Sequence, residues 1–96
     1  MAVEVSIPTI LRNYTGGAKA VDASGATLDE VFGDLDAQFS GIRERLVDES
    51  GLRRFVNVYL NDEDVRFLNG LATPVGEGDQ VTILPAVAGG AADIDE

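Results

Sequence analysis

Val3, Val5 and Ile7 alternate with Ala2, Glu4 and Ser6, so the chain opens with the period of a strand that has one buried face. Pro8 ends it, because a proline cannot donate to the next rung of a ladder. Gly16-Gly17 marks a turn, and the stretch AKAVDAS after it reads as a second short strand with Ala18, Ala20 and Val21 toward the core. The two strands would form an N-terminal hairpin. Thr27 is followed three residues later by Glu30, the spacing of a capping box, and Leu28, Val31, Phe32, Leu35 and Phe39 recur behind it at helical intervals. That predicts one amphipathic helix stopping near Gly41, with a single apolar stripe suited to lying across a sheet.

Beyond the helix, Ile42 to Ser50 predicts a short charged helical turn anchored by Ile42, Leu46 and Val47. RFVNVYL alternates again, with Val56, Val58 and Leu60 on one side and Phe55, Asn57 and Tyr59 on the other, and predicts a central strand. NDED predicts a turn, Val65 and Phe67 a short strand, and NGLATPVGEGD a looped stretch rich in turn residues. QVTILP supplies the final strand, Val81 and Ile83 inward, Thr82 and Leu84 outward. This order of hairpin, helix, strand, short strand and final strand is that of an α+β β-grasp, or ubiquitin-like, fold, in which a mixed sheet grips one main helix. The first and last strands are expected side by side in the middle of the sheet. No repeat or linker divides the 96 residues, a length that supports one core and not two.

Cysteine and histidine are both absent, which removes the commonest nucleophile, general base and metal ligands. No catalytic residue is assigned, and the chain is not expected to be an enzyme. A net charge of −10 repels phosphate backbones and anionic lipid, so neither nucleic acid nor a membrane is an expected partner, whereas a protein with a basic or mixed surface is. No apolar run approaches the ~20 residues of a membrane helix, and MAVEVSIP lacks the basic start and apolar block of a signal peptide. The cytoplasm is the expected location.

Three groups could carry chemistry or recognition. Asp62-Glu63-Asp64 could meet a hard cation, but consecutive side chains do not converge on one ion, so a solvated turn is the better reading and no metal site is assigned. Arg43, Arg45, Arg53 and Arg54 lie among Glu44, Asp48 and Glu49, where mutual charge balance accounts for them; the other reading has Arg53 and Arg54 flank a partner-facing surface and meet an acidic enzyme loop. Phe55, Tyr59 and Leu84 fall on the sheet face opposite the helix, either as a protein-binding patch or as rings that cover the sheet.

The chain closes VTILPAVAGGAADIDE. Gly89-Gly90 alone is a flexible join to an acidic tail, or else a slender end that can thread a narrow tunnel to an ATP phosphate where any Cβ would clash. VNVYLNDEDVRF, GLATPV, GEGDQVTILP and AVAGG, with VSIPTILR and ASGATL earlier, resemble the ubiquitin-like sulfur-carrier proteins of the ThiS/MoaD class. Within that class the likeness is greatest to the carriers that serve a thiocarboxylate route to cysteine, and it spans nearly the whole chain up to Gly90. The resemblance implies a β-grasp domain over residues 1–88, a functional terminus at 89–90 and a removable acidic tail at 91–96. It makes Gly90 the site of adenylation and thiocarboxylate formation, Val87, Ala88 and Gly89 the residues that thread, and the Gly90–Ala91 bond the place of cleavage. It also implies three enzymes as partners: an ATP-dependent MoeB/ThiF-like activating enzyme, a sulfur-accepting synthase carrying pyridoxal phosphate, and a zinc-dependent JAMM-type metalloprotease. The carrier itself binds no cofactor. Sulfur destined for molybdopterin, thiazole or a thiosugar, a protein modifier joined to lysines, and a plain β-grasp interaction module are the alternatives.

Overall fold

The computed structural model describes residues 2–49, 51–53 and 56–85. Strand β1 (Ala2–Ser6) pairs antiparallel with β2 (Ala20–Ser24), Val3 opposite Ala23 and Val5 opposite Val21. The hairpin forms, with Val21 packed against the core as expected, but Ala23 and not Ala18 or Ala20 shares that face. Ala23 is buried and Val21 half-buried, Ala20 is exposed, and Ala18 precedes the strand. The connection explains the shift. A 3-10 turn at Thr9–Leu11 follows Pro8, and the Thr15 hydroxyl bonds the carbonyls of Arg12 and Ala18 at 3.1 and 2.9 Å, so the ladder resumes only at Ala20. Pairing from Ser6↔Ala20 then fixes which residues of β2 face inward.

Helix α1 (Leu28–Gln38) starts at the predicted capping box. The Thr27 hydroxyl accepts the Glu30 N–H at 3.3 Å, and the Glu30 carboxylate accepts the Ala26 N–H at 2.8 Å. Just before it, Gly25 passes so close to the first turn that a Cβ would lie 2.6 Å from the Val31 nitrogen, so a larger residue would push the strand off the helix. Leu28, Val31, Phe32 and Leu35 are fully buried against a sheet face that includes Val3, Val5, Val58, Val81 and Ile83. The helix ends at Gln38, and Gly41, at φ 96°, turns the chain into α2 (Ile42–Leu46). The Asp36 carboxylate of α1 accepts the N–H groups of Gly41 and Arg43 at 3.0 and 3.2 Å, and so caps α2 from the neighbouring helix. The expected turn to Ser50 is shorter: Ile42 and Leu46 are buried, while Val47 already belongs to β3 (Val47–Asp48), which pairs with β4 (Gly51–Leu52).

Strand β5 (Val56–Leu60) buries Val56, Val58 and Leu60, and reaches β6 (Glu63–Asp64) through Asn61 and Asp62. Both turn residues have positive φ, 51° and 82°, as a two-residue hairpin loop that follows strand twist requires. The strand predicted to hold Val65 and Phe67 ends instead at Asp64. Its carboxylate accepts the Arg66 N–H at 2.9 Å and starts a 3-10 turn, Val65–Phe67. A strand would send Val65 and Phe67 to one face, whereas the turn buries Val65 and leaves Phe67 87% exposed.

The last strand, β7 (Gln80–Pro85), lies parallel to β1 and antiparallel to β5, and the sheet order is β2-β1-β7-β5-β6. The first and last strands are thus neighbours, with β7 at the centre. β5, expected to be central, is one place further out, and among the described residues its outer neighbour is the two-residue β6. Arg66 covers much of the edge that this leaves. Its guanidinium donates to the carbonyls of Arg53 and Val56, at 2.7 and 2.6 Å, and to Asn57 Oδ1 at 2.9 Å, and so occupies the Val56 carbonyl, an acceptor that an invading strand would use. Arg66→Ala is expected to lower stability by about 1 kcal/mol, read as an earlier urea midpoint. Arg66→Lys recovers little of it, because an ammonium lacks the planar fork. Unchanged midpoints in both variants would contradict this role.

Candidate functional site

β7 is the strand that leads into the chain's terminal segment, and it is anchored from both sides. Val81 pairs with Val5 on one flank and Leu60 on the other, and Ile83 lies opposite Val58. At the strand's start, Asn61 Oδ1 accepts the Gln80 N–H at 2.9 Å, and the Asp79 carboxylate closes the preceding turn through the Gly76 N–H at 2.8 Å. At its end Pro85 pairs with Val56, a position where a residue without an N–H is tolerated as the ladder stops. Val87, Ala88, Gly89, Gly90 and Ala91 lie outside the described residues, as do Arg54 and Phe55.

On the face opposite α1, Tyr59 stands across from Thr82 and Asn57 across from Leu84. Tyr59 is half-buried and Leu84 is 45% exposed, and the two line one shallow depression of about 240 Å³ with Asp62 and Thr82. Two of the three residues assigned to a patch therefore share one surface beside the end of β7.

A deeper groove of about 300 Å³ flanks the same strand end, walled by Pro8, Ile10 and Tyr14 on one side and by Arg45, Arg53, Leu84 and Pro85 around it. The sequence reading did not single out Ile10 or Tyr14. The available signal was Pro8 followed by adjacent Ile10 and Leu11: a short 3-10 turn there buries Leu11 and leaves Ile10 59% exposed. Among the four arginines, Arg43 turns away and pairs with Asp29. Arg45 Nε donates to the Tyr14 hydroxyl at 2.7 Å, and Arg53 Nε donates to the Glu44 carbonyl at the same distance. The Tyr14 hydrogen bond, reinforced by its charge interaction, holds the Arg45 pKa above even the ordinary arginine value, so this wall of the groove is a fixed cation. Asp64 of the acidic turn serves as a cap, and no group of three acidic residues placed to hold a metal occurs among the described residues. Among those residues, no helix is long and apolar enough to cross a membrane.

Residues 5–90 match the ThiS family. The sulfur carrier protein CysO of Mycobacterium tuberculosis is 66% identical over 93 residues, covering 94% of this chain and all of the relative. Its crystal structure matches with a TM-score of 0.85 at 65% identity, over 88% of this chain and 99% of that one. The Amycolatopsis orientalis BexX/CysO complex contains a chain that matches with a TM-score of 0.87 at 60% identity, over 92% of this chain and 99% of that one. Small archaeal modifier protein 3 of Haloferax volcanii is 38% identical over 65 residues, 68% of this chain and 71% of the relative. A central strand shared by parallel and antiparallel neighbours, one helix across its inner face and likeness along nearly the full length agree: the chain belongs to the ThiS family of ubiquitin-like β-grasp proteins.

Proposed function

We propose that the chain is a sulfur carrier, acting in the cytoplasm, whose working group is the carboxylate that Gly90 presents once residues 91–96 have been cut away. While the bond to Ala91 stands, the Gly90 carbonyl is an amide and cannot attack ATP. A JAMM-type metalloprotease cutting after the glycine pair frees it. On a MoeB/ThiF-like enzyme a carboxylate oxygen then attacks the α-phosphorus of ATP and pyrophosphate leaves. A sulfide-level sulfur nucleophile adds to the acyl carbon, AMP departs with the C–O electron pair, and a thiocarboxylate remains with no net oxidation. The thiocarboxylate is ionised at neutral pH and more nucleophilic than the carboxylate it replaces. A synthase that carries pyridoxal phosphate accepts the sulfur, with cysteine as the favoured destination.

The observation that carries this reading is a boundary: the family match ends at Gly90, the second residue of the pair, and a named sulfur carrier is matched along its whole length by 94% of this chain. The fold supports it, because β7 is held at the centre of the sheet to within five residues of Gly90. The likeness to an archaeal modifier protein favours a second reading in which the same carboxylate forms isopeptides with lysines, and gel-shifted conjugates in cell extract would reveal it. Intact-mass measurement of the protein recovered from its own cells tests the reading. A population ending at Gly90 is expected, and a protein that works while all 96 residues stay attached would contradict it.

Docking falls to the face that holds Tyr59 and Leu84, with Phe55 as its third member. Leu84→Glu is expected to leave the melting temperature nearly unchanged, since the side chain is 45% exposed. It should weaken binding to the activating and accepting enzymes at least tenfold, about 1.4 kcal/mol. Equal affinity for both enzymes would remove this face from the account.

A further inference from the structure

We propose that α1 locks the free edge of β2 against β2 of a second copy of this chain, and so keeps the protein single. In the order β2-β1-β7-β5-β6, β2 has β1 on one flank, and among the described residues its other flank carries no strand. The Ile7 N–H donates to the Lys19 carbonyl at 2.8 Å, in the same register that sets Ser6 opposite Ala20. By alternation the β1 ladder takes the main-chain groups of Val21 and Ala23, and those of Ala20, Asp22 and Ser24 are aimed outward. An outward row of that kind is a template for another strand.

Two side chains of α1 close part of the row. Asp34 Oδ2 accepts the Ser24 N–H, Gln38 Nε2 donates to the Asp22 carbonyl, and the same Gln38 nitrogen donates to Asp34 Oδ2, each at 3.0 Å. The two residues are four apart, the spacing at which helical side chains lie side by side, so one linked pair ties down a donor and an acceptor of the edge. The core does not call for either: Gln38 is exposed, Asp34 is half-buried, and the apolar stripe of α1 lies on Leu28, Val31, Phe32 and Leu35.

The excluded occupant follows from the register. Antiparallel pairing about a two-fold axis at Asp22 sets Ala20 opposite Ser24 and makes Asp22 exchange both main-chain bonds with its own copy. Every rung of that ladder uses the Asp22 carbonyl or the Ser24 N–H, the two groups that α1 occupies. The same axis brings two Asp22 carboxylates face to face, a second deterrent. With Arg66 on the Val56 carbonyl at the other side of the sheet, strand addition is opposed at both ends of the strand order, and the sheet face and the end of β7 are left for partners. The lock rests on these hydrogen bonds alone. Only its use, keeping one carrier available to several enzymes in turn, rests on the proposed function.

Sedimentation of the full chain, D22T, D34A/Q38A and D22T/D34A/Q38A over a concentration series tests it. The full chain and D22T are expected to stay monomeric, D34A/Q38A to associate weakly, and the triple variant to approach twice the monomer mass. A triple variant that stays monomeric, or D22T dimerising with the α1 side chains intact, would overturn the proposal. Hydrogen exchange reads the lock without any dimer: D34A should speed exchange of the Ser24 N–H about tenfold and leave that of the Ile7 N–H, inside the hairpin, unchanged. Equal Ser24 rates in D34A and the full chain would also overturn it. Failure of the chain ending at Gly90 to take up sulfur would leave these results intact and count only against the proposed function.

Discussion

Replacing Phe32 with alanine is expected to lower the unfolding free energy by about 3–5 kcal/mol. Among the described residues Phe32 is the largest fully buried side chain, on the α1 stripe with Leu28, Val31 and Leu35. The helix is the layer that closes the core over the sheet, so the lost volume cannot be refilled without moving a whole element. Domains of this size have only about 5–15 kcal/mol in hand, and each kcal/mol is worth roughly 4–8 °C of melting temperature. Phe39→Ala provides the comparison: at the helix C-cap and only partly buried, it should fall by less than half as much. A loss below about 1 kcal/mol for Phe32→Ala would mean that the stripe does not hold the helix down.

Gly89→Val, in a chain ending at Gly90, is expected to slow adenylation by about a hundredfold or more while leaving thermal stability untouched. The two halves of that result have separate causes. Among the described residues the buried core extends no further along the chain than Ile83, which is why stability is expected to be unaffected. If the terminus threads to ATP as proposed, a β-branched residue one place before the reacting carboxylate would widen that strip and stiffen its backbone. Gly89→Ala should be intermediate. Equal rates for all three would show that the glycine is a spacer and not a steric requirement.

The parts of the fold that could be read from sequence are those set by local periodicity. Val3, Val5, Val81 and Ile83 needed only alternation to be placed inside, and the helix start was marked by local hydrogen bonds, Glu30 N–H to the Thr27 hydroxyl and Ala26 N–H to the Glu30 carboxylate. Where a longer-range bond decided the geometry, the reading slipped. The Thr15 bonds and the Ser6↔Ala20 register, not local composition, set the phase of β2, and one residue of register exchanges the faces of a strand. The Asp64 cap converted an apparent strand at Val65–Phe67 into a turn. At the candidate site, Tyr59 and Leu84 were legible as outward positions of two alternating strands. The groove was not, because Ile10, Arg45 and Arg53 come from separate elements and meet only through the Tyr14 and Glu44 bonds.

The central claim is that this domain serves a side-chain-free terminus whose acyl group carries sulfur. Matched chains of residues 1–90 and 1–96, incubated with ATP, the activating enzyme and a sulfide source, test it by intact mass. The account predicts replacement of one oxygen by sulfur in the shorter chain and no change in the longer. A shorter chain that stays unmodified, or a longer one that gains sulfur without losing its tail, would contradict it.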